Sequence, residues 1–245
     1  MKHIHTACFL LAMTFGGSLL NAQTTPLPTL GKEFWCGFLQ NAYGAQELRL
    51  NIASQSATTG TVSMPLTGWS QSINVPANGV VTVIVPVSAE HTGSETISNK
   101  GVLVQTSDSV TVTAVSMQSF TTDAAQVLPI QSLSTSYRAE AYRGLPGFAE
   151  FYKSELLIIA TADGTQIDIT PSVNTLGGHL AGSTYTVLLN AGEGYQVQSQ
   201  LASLDVTGTS IVGTAQSGVC RPFAVFAAFQ KAFWQQPNQD RKSVV

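Results

Sequence analysis

The side chains that could do chemistry are few in this sequence, and they form no recognised catalytic pattern. Two of the four histidines lie after residue 22: His91 follows Glu90, and His179 follows a pair of glycines. The sequence contains no nucleophile elbow, no His-Glu-x-x-His, no Cys-x-x-Cys and no phosphate-binding loop. A lone loop histidine is usually solvated, so we predict no catalytic residue, no metal ligand and no cofactor. A Ser–His pair stays open, because catalytic triads assemble from distant positions.

Three glutamates flank an aromatic group in the second part of the chain. The glutamates are Glu140, Glu150 and Glu155, and the aromatic residues are Tyr142, Phe148, Phe151 and Tyr152. Paired carboxylates beside aromatic rings are typical of glycoside hydrolases, where one acts as acid and the other as base or nucleophile. The same residues equally suit the solvated rim of a β-sandwich. A glycoside hydrolase, or its carbohydrate-binding accessory module, is therefore an alternative to a non-catalytic function.

Tryptophan is the residue type in this chain best suited to contact a ligand. An exposed indole ring can stack on a sugar or anchor a protein interface. Trp69 lies in a polar segment that reads as a loop, and it is our predicted ligand contact. Trp35 lies in an apolar element and is predicted to belong to the core. Trp234 follows the last predicted strand and is predicted to cover a sheet edge.

Three cysteines are present, and the first, Cys8, lies within a predicted signal peptide. Cys36 and Cys220 remain, near the two ends of the predicted fold. In an oxidising compartment they could form one disulfide. The alternative is two buried free thiols, since an unpaired cysteine packs as a small apolar group. Sequence alone leaves both open, because a bridge requires the two Cα atoms to approach closely.

The first 22 residues have the layout of a secretory signal peptide. Lys2 provides a positive start, residues 7–15 are apolar, and Ala22 is a small residue suited to cleavage before Gln23. The apolar stretch falls short of the about 20 residues that span a bilayer. No later stretch is long and apolar enough either, so we predict a secreted or cell-surface protein without a transmembrane span.

The composition argues against a nucleic-acid partner. Charged residues make up 10% of the chain, and the net charge is −3. A typical soluble domain contains about 25% charged residues. Nucleic-acid binding depends on clustered Lys and Arg, and no basic run occurs here. We therefore expect an extracellular protein or glycan as the partner.

Alternation of apolar and polar residues with a period of two dominates the chain, which predicts an all-β fold. Leu48, Leu50 and Ile52, for example, alternate with Arg49 and Asn51. Many short strands separated by Gly, Pro and Asn indicate β-sandwich architecture. The predicted organisation is a signal peptide (1–22), a leader (23–30), a first β-sandwich-like half (31–120), a connecting loop or short helix capped by Asp123 (121–136), a second half (137–230) and a polar tail (231–245).

The two predicted halves repeat one another in order and approximate spacing. Residues 47–54 are echoed by 155–162, and residues 75–83 by 188–197. Gly101 opens a run that ends at Val115, as Gly208 opens one that ends at Ala228. This pattern predicts two related halves and an internal duplication. Chance matching among strands rich in Val, Thr and Gly is the alternative.

Four motifs in the same order resemble the N-terminal domain of the IgGFc-binding protein family. They are GKEFWCGF at 31–38, SFTTDAAQVLP at 119–129, ELLIIATADGT at 155–165 and PFAVF at 222–226. The resemblance implies an extracellular, non-enzymatic β-rich module of adhesion or glycoprotein binding, here a secreted bacterial member. Cys36 departs from the apolar residue expected at its position. The family continues with β structure beyond Phe229, so we expect the chain to be a truncated member.

Our leading prediction is a secreted or cell-surface module that binds a protein or glycoprotein without catalysis. The alternatives are the glycoside hydrolase or accessory module described above, and a structural assembly subunit without a ligand. The sequence favours the first because polar, uncharged strand faces suit hydrogen bonding and stacking, and strand edges can accept a partner strand.

Overall fold

A computed structural model describes residues 28–119, 121–142, 152–214, 219 and 221–230. The predicted signal peptide, the tail from residue 231, Glu150, Cys220 and Trp234 lie outside the described residues. The fold is all-β, as predicted. Its strands are β1 Gly31–Cys36, β2 Glu47–Ser54, β3 Thr58–Met64, β4 Trp69–Val75, β5 Gly79–Val85, β6 Ile97–Ser98, β7 Val102–Met117, β8 Asp123–Val127, β9 Ser136–Arg138, β10 Ser154–Ala160, β11 Thr165–Thr170, β12 Tyr185–Leu189, β13 Gly194–Gln198, β14 Ser210–Thr214 and β15 Phe223–Phe229.

The first half is a sandwich built around the long strand β7. The beginning of β7 pairs with β1 and β3, which gives the order β4-β3-β7-β1. The end of β7 pairs with β2 and β8, which gives the order β5-β2-β7-β8. The alternation of buried side chains in β7 is interrupted between Val104 and Val110, where the strand passes from one sheet to the other. The inward side chains of both sheets form one apolar core.

The second half contains two four-stranded sheets. One has the order β15-β10-β13-β6 and the other has the order β12-β11-β14-β9. Residues from both sheets form a second core, including Leu156 and Ile158 of β10 and Ile167 of β11. Strand β6 comes from the loop between β5 and β7, so a piece of the first half of the chain completes a sheet of the second half.

The two halves share one strand order. The order β4-β3-β7-β1 of the first half corresponds to β12-β11-β14-β9 of the second, and β5-β2-β7 corresponds to β13-β10-β15. The segments that echo each other in the sequence occupy equivalent strands, since residues 47–54 form β2 and residues 155–160 belong to β10. This is a structural equivalence of the halves; the duplication itself stays a prediction.

A third apolar cluster joins the halves into one stack of sheets. Along β1, Phe34 and Cys36 face the first core, whereas Trp35 faces the second half. Along β10, Leu157 and Ile159 face Trp35, and every residue of the strand is buried. A Cβ on Gly37 would lie 2.7 Å from both Leu157 and Ile159 side-chain atoms, so the close approach of β1 to β10 requires glycine there.

The segment expected to be a connecting loop or short helix differs from that expectation. It contains the strand β8 and a 3₁₀ helix at Ile130–Ser132. Asp123 starts β8 opposite Ser116 and does not cap a helix. The strand forms because Val127 enters the first core opposite Val112, which outweighs the local helical tendency of the two alanines before it.

Among the described residues, no helix is long and apolar enough to cross a membrane.

Candidate binding groove and the buried polar groups

An open concavity of about 770 Å³ lies on the first half. It forms where β7 changes sheets and where two turns, before β3 and after β4, converge. Its lining residues are Lys32, Ala57, Thr58, Thr59, Asn74, Val75, Pro76, Ser107 and Asp108. The second turn is set by Asn78, whose φ of 51° lies in the left-handed region that asparagine tolerates better than most residues. We call this concavity the groove.

Hydrogen bonds hold the walls of the groove in place. Lys32 donates from Nζ to the carbonyl of Ser107 at 2.9 Å, which ties β1 to the bend of β7. The backbone N–H of Asp108 donates to Oγ1 of Thr58 at 2.9 Å. The hydroxyls of Thr59 and Ser107 lie 3.3 Å apart. The groove thus presents hydroxyls, an amide, one cation and one carboxylate, which suits hydrogen-bonded recognition of a polar ligand.

Trp69 lies at the opposite end of β4 from Asn74 and Val75. It is the first residue of that strand rather than a loop residue, and its half-buried ring packs against the first core. The structure therefore does not bring the predicted ligand contact Trp69 into the groove, and its role in binding stays a prediction. Trp35 is buried, 5% exposed, which confirms its predicted place in the core.

Cys36 is fully buried in the first core and has no disulfide partner among the described residues. Burial raises its pKa to about 12, because the thiolate would lose its hydration. Its predicted partner Cys220 lies outside the described residues, so the disulfide stays a prediction.

The structure brings one serine and one histidine together. The hydroxyl of Ser98 lies 2.8 Å from Nδ1 of His91. The imidazole packs over Gly194, where a Cβ would overlap the ring, and its Nε2 is buried without a hydrogen-bond partner. Burial, with a contribution from the Lys100 cation, lowers the pKa of His91 to about 3. A general base must accept a proton and is usually stabilised by a carboxylate. Here the environment opposes the imidazolium, so the pair fits a structural role.

Glu155 lies at the centre of a buried polar network between the halves. Its Oε2 accepts hydrogen bonds from Gln198 Nε2 at 2.9 Å and from Gln230 Nε2 at 3.3 Å. Its Oε1 has no partner. Burial is the main cause that raises the pKa of Glu155 to about 8, and the neighbouring Glu90 carboxylate contributes.

Of the three glutamates that suggested a glycoside hydrolase, the two described ones, Glu140 and Glu155, do not share a cleft. Glu155 is 0% exposed, whereas Glu140 is exposed. An acid/base pair must face the same substrate from both sides of the scissile bond. A carboxylate sealed between two packed halves cannot do so, and the third glutamate, Glu150, lies outside the described residues.

A second buried carboxylate, Glu90, organises the loop after β1. Its Oε1 accepts from the backbone N–H of Asn41 at 2.6 Å, and its Oε2 accepts from Ala45 N–H at 3.0 Å. Asn41 donates in turn from Nδ2 to the carbonyl of Thr121 at 2.7 Å. These bonds compensate the cost of burying Glu90 and fix residues 41–45 against the start of β8.

Sequence reasoning missed a further cluster around Glu95. The backbone of Glu95 has a φ of 58°, a strained conformation for a residue other than glycine. Its Oε1 accepts a short hydrogen bond of 2.5 Å from Thr175 and lies 3.8 Å from Nε2 of His179. The His179 ring stacks on Tyr185 with centroids 3.5 Å apart. No sequence motif marks this cluster, because the loop before β6 and the loop before β12 meet only in the fold.

Within the described ranges, no group of three His, Cys, Asp or Glu residues is arranged to hold a metal ion.

The described residues thus form two stacked β-sandwiches, and an open polar groove lies on the first of them. Comparison with known proteins shows which family the chain resembles. A family model described as IgGFc binding protein matches residues 123–243. The human protein named IgGFc-binding protein is 27% identical over 196 residues, which is 77% of this chain and 4% of the human protein. No solved structure matches. Both comparisons support the resemblance of this chain to the IgGFc-binding protein family, and the chain spans only a small part of the length of its human relative.

Proposed function

We propose that this chain is a non-catalytic module that binds a protein or glycoprotein ligand outside the cell, and that the groove is its binding site. The observation that carries the proposal is the contrast between the groove and the interior. The carboxylate and the imidazole with the strongest pKa shifts, Glu155 and His91, are buried as parts of the packing. The groove offers hydroxyl, amide and single charged groups to solvent instead.

The lining of the groove suits a hydrophilic ligand with many hydroxyl or amide groups. Thr59 and Asn74 can donate and accept, and Lys32 and Asp108 add one charge of each sign. A peptide backbone and the sugar of a glycoprotein both present such groups. The name of the human relative also makes the Fc part of immunoglobulin G one protein to test as a ligand.

The enzymatic alternative is less well supported, since the buried Glu155 lacks access to a substrate. The assembly alternative predicts self-association without any ligand. The same binding experiment distinguishes the enzymatic alternative and the assembly alternative from the proposed binding function.

The test is a glycan and glycoprotein array, which includes immunoglobulin Fc, probed with the chain from Gln23 to Val245. Asn74→Lys places a long cation in the groove and should weaken binding of any hit at least about tenfold. Ser70→Lys is the matched control, because Ser70 faces the same side of β4 at its other end. Equal loss in both variants, or hits that neither variant affects, would rule out the groove as the binding site. Absence of any binding would favour the assembly alternative, and release of reducing sugar would favour the hydrolase.

We further propose that the chain is exported and cleaved after Ala22. Expression in a secretion-competent bacterial host, followed by mass spectrometry of the exported protein, should give an N-terminus at Gln23. An intact Met1 in a protein retained inside the cell would contradict export.

A further inference from the structure

Strand β5 forms an edge of the first half among the described strands, and its own residues carry none of the usual edge protection. Of the described strands, only β2 pairs with β5, so its other side presents unpaired backbone groups. Proteins usually protect such edges with charges, proline or bulges. The seven residues of β5 are GVVTVIV, without any of these. The exposed sides of Val80 and Ile84, 60% and 50% exposed, add an apolar surface.

The lack of charge extends from β5 to β3 and β4, which belong to the other sheet of the sandwich. No charged residue occurs in the sequence between Arg49 and Glu90, a range that includes β3, β4 and β5. An approaching copy of the same surface therefore meets no like charge. Two other edge strands each carry a charge, since β8 begins with Asp123 and β9 ends with Arg138.

The sequence of β5 is self-complementary about its central residue. In an antiparallel pair with a twofold axis at Thr82, that residue faces its own copy. Val80 then faces Ile84 of the partner, and Val81 faces Val83. Cross-strand pairs of β-branched side chains and Thr–Thr pairs are among those that stabilise antiparallel sheets. The same strand can thus serve both sides of a symmetric interface.

The neighbouring strand is compatible with this arrangement. Arg49 on β2 lies opposite Ile84, and Ala53 lies opposite Val80. In the proposed pair, Ile84 lies beside the partner's Val80, which lies beside the partner's Ala53. One row across the four strands therefore runs from Arg49 through Ile84 and the partner's Val80 to the partner's Ala53. The two Arg49 side chains therefore lie at opposite ends of the interface and do not repel each other at close range.

We propose that β5 pairs antiparallel with β5 of a second copy, which joins the two β5-β2-β7-β8 sheets into one continuous eight-stranded sheet. The proposal concerns assembly and is independent of the ligand in the groove.

Crosslinking tests the register of this pairing. Directly opposed residues in an antiparallel sheet have Cα atoms about 4.5–5.5 Å apart, within the range of a disulfide. Thr82→Cys should therefore form a disulfide-linked dimer under mild oxidation. Val80→Cys and Ile84→Cys should each fail to crosslink alone, because each residue lies roughly 13 Å along the strand from its own copy. A mixture of the two should crosslink as a heterodimer. The unsubstituted chain is the control for its own cysteines.

Sedimentation equilibrium of the chain from Gln23 to Val245 measures the association itself. Val80→Lys should weaken dimerisation at least about tenfold, because it places an ammonium group among apolar side chains at the interface. Leu188→Lys is the matched control, since Leu188 is an exposed apolar residue, 49% exposed, on the edge strand β12. Circular dichroism melting checks that both variants fold.

Three results would each overturn the proposal: a monomer at the highest soluble concentration, an unaffected dimer in Val80→Lys, or crosslinking of Val80→Cys with itself. A chain that dimerises only after removal of residues 231–245 would instead identify those residues as the occupant of the edge.

Discussion

Gln198 on β13 donates one hydrogen bond to Oε2 of Glu155 at 2.9 Å and another to Oε1 of Gln40 at 3.0 Å. A single amide group thus links a fully buried carboxyl group of the second half to a loop of the first half. Burial removes the Glu155 carboxyl group from water and its Oε1 has no partner, so the site favours the protonated form.

Glu155 should make the protein less stable as the pH rises from about 4.5 to about 8. Its pKa is raised from 4.5 in the unfolded chain to about 8 in the folded protein. Between these values the folded state binds more protons than the unfolded state, so the free energy of unfolding falls with increasing pH, by about 2–4 kcal/mol across the window. Urea unfolding at a series of pH values measures this slope.

Glu155→Gln should remove that slope, because glutamine mimics the neutral carboxyl group. The variant should therefore gain stability relative to the original chain at pH 8 and match it near pH 4. Glu140→Gln, at an exposed position, serves as the control and should leave the slope unchanged. An identical pH dependence in the original chain and in Glu155→Gln would show that Glu155 is ionised in the folded protein at neutral pH.

His91 should remain neutral in the folded protein far into the acid range. Its pKa is lowered to about 3 by burial and by Lys100, against 6.5 for the unperturbed side chain. The unfolded state binds the extra proton between these values, so the stability contributed by His91 is lost as the pH falls from about 6.5 toward 3. This slope opposes that of Glu155, and the two partly cancel between about pH 4.5 and 6.5.

Nuclear magnetic resonance of the imidazole nitrogens measures the protonation of His91 directly. The His91 signals should not shift between pH 8 and pH 5 in the folded chain, whereas the signals of the chain in urea should titrate near 6.5. A midpoint near 6 in the folded protein would mean that the ring reaches water, and it would reopen the question of a reactive Ser98–His91 pair.

Strands such as β2 and β10 could be predicted from the sequence because their burial patterns follow simple rules. Leu48, Leu50 and Ile52 alternate with polar residues, since β2 has one face in the core and one in solvent. Residues 155–160 are an almost continuous apolar run, and β10 is accordingly covered on both faces. The sequence alone does not show what covers the second face of β10. Trp35 could belong to any core, and only the structure shows that it packs against Leu157 on that face.

The candidate site could not be predicted, because its residues are ordinary polar side chains brought together by a bend. Ser107 and Asp108 are residue types typical of turns, but the structure has one continuous β7 that changes sheets there. The groove exists only because this bend meets the turn near Asn74 and the side chain of Lys32. The cluster around Glu95 could not be predicted either, because only the backbone conformation of Glu95 in the structure distinguishes it from other glutamates.

Trp35→Ala should destabilise the protein much more than Trp69→Ala. Trp35 is 5% exposed and fills the cluster between the halves, so its removal leaves a large cavity and should cost about 3–5 kcal/mol. Trp69 is half-buried at a strand end, so its truncation should cost about 1–2 kcal/mol. Denaturant unfolding followed by circular dichroism measures both. Equal losses would mean that the interface between the halves contributes little to stability.

Cys36 should be inert toward thiol reagents as long as the protein is folded. Its side chain is fully buried and burial raises its pKa to about 12, so the reactive thiolate is scarce at neutral pH. Treatment with Ellman's reagent should give no reaction at Cys36 in buffer and full reaction in urea.

Peptide mapping without reductant then decides between the two expectations for this residue. A free Cys36 reacts on unfolding, whereas a Cys36–Cys220 disulfide yields one linked peptide and stays unreactive until a reductant is added. Rapid labelling of Cys36 in the folded chain would contradict both, because it would require the first core to open readily.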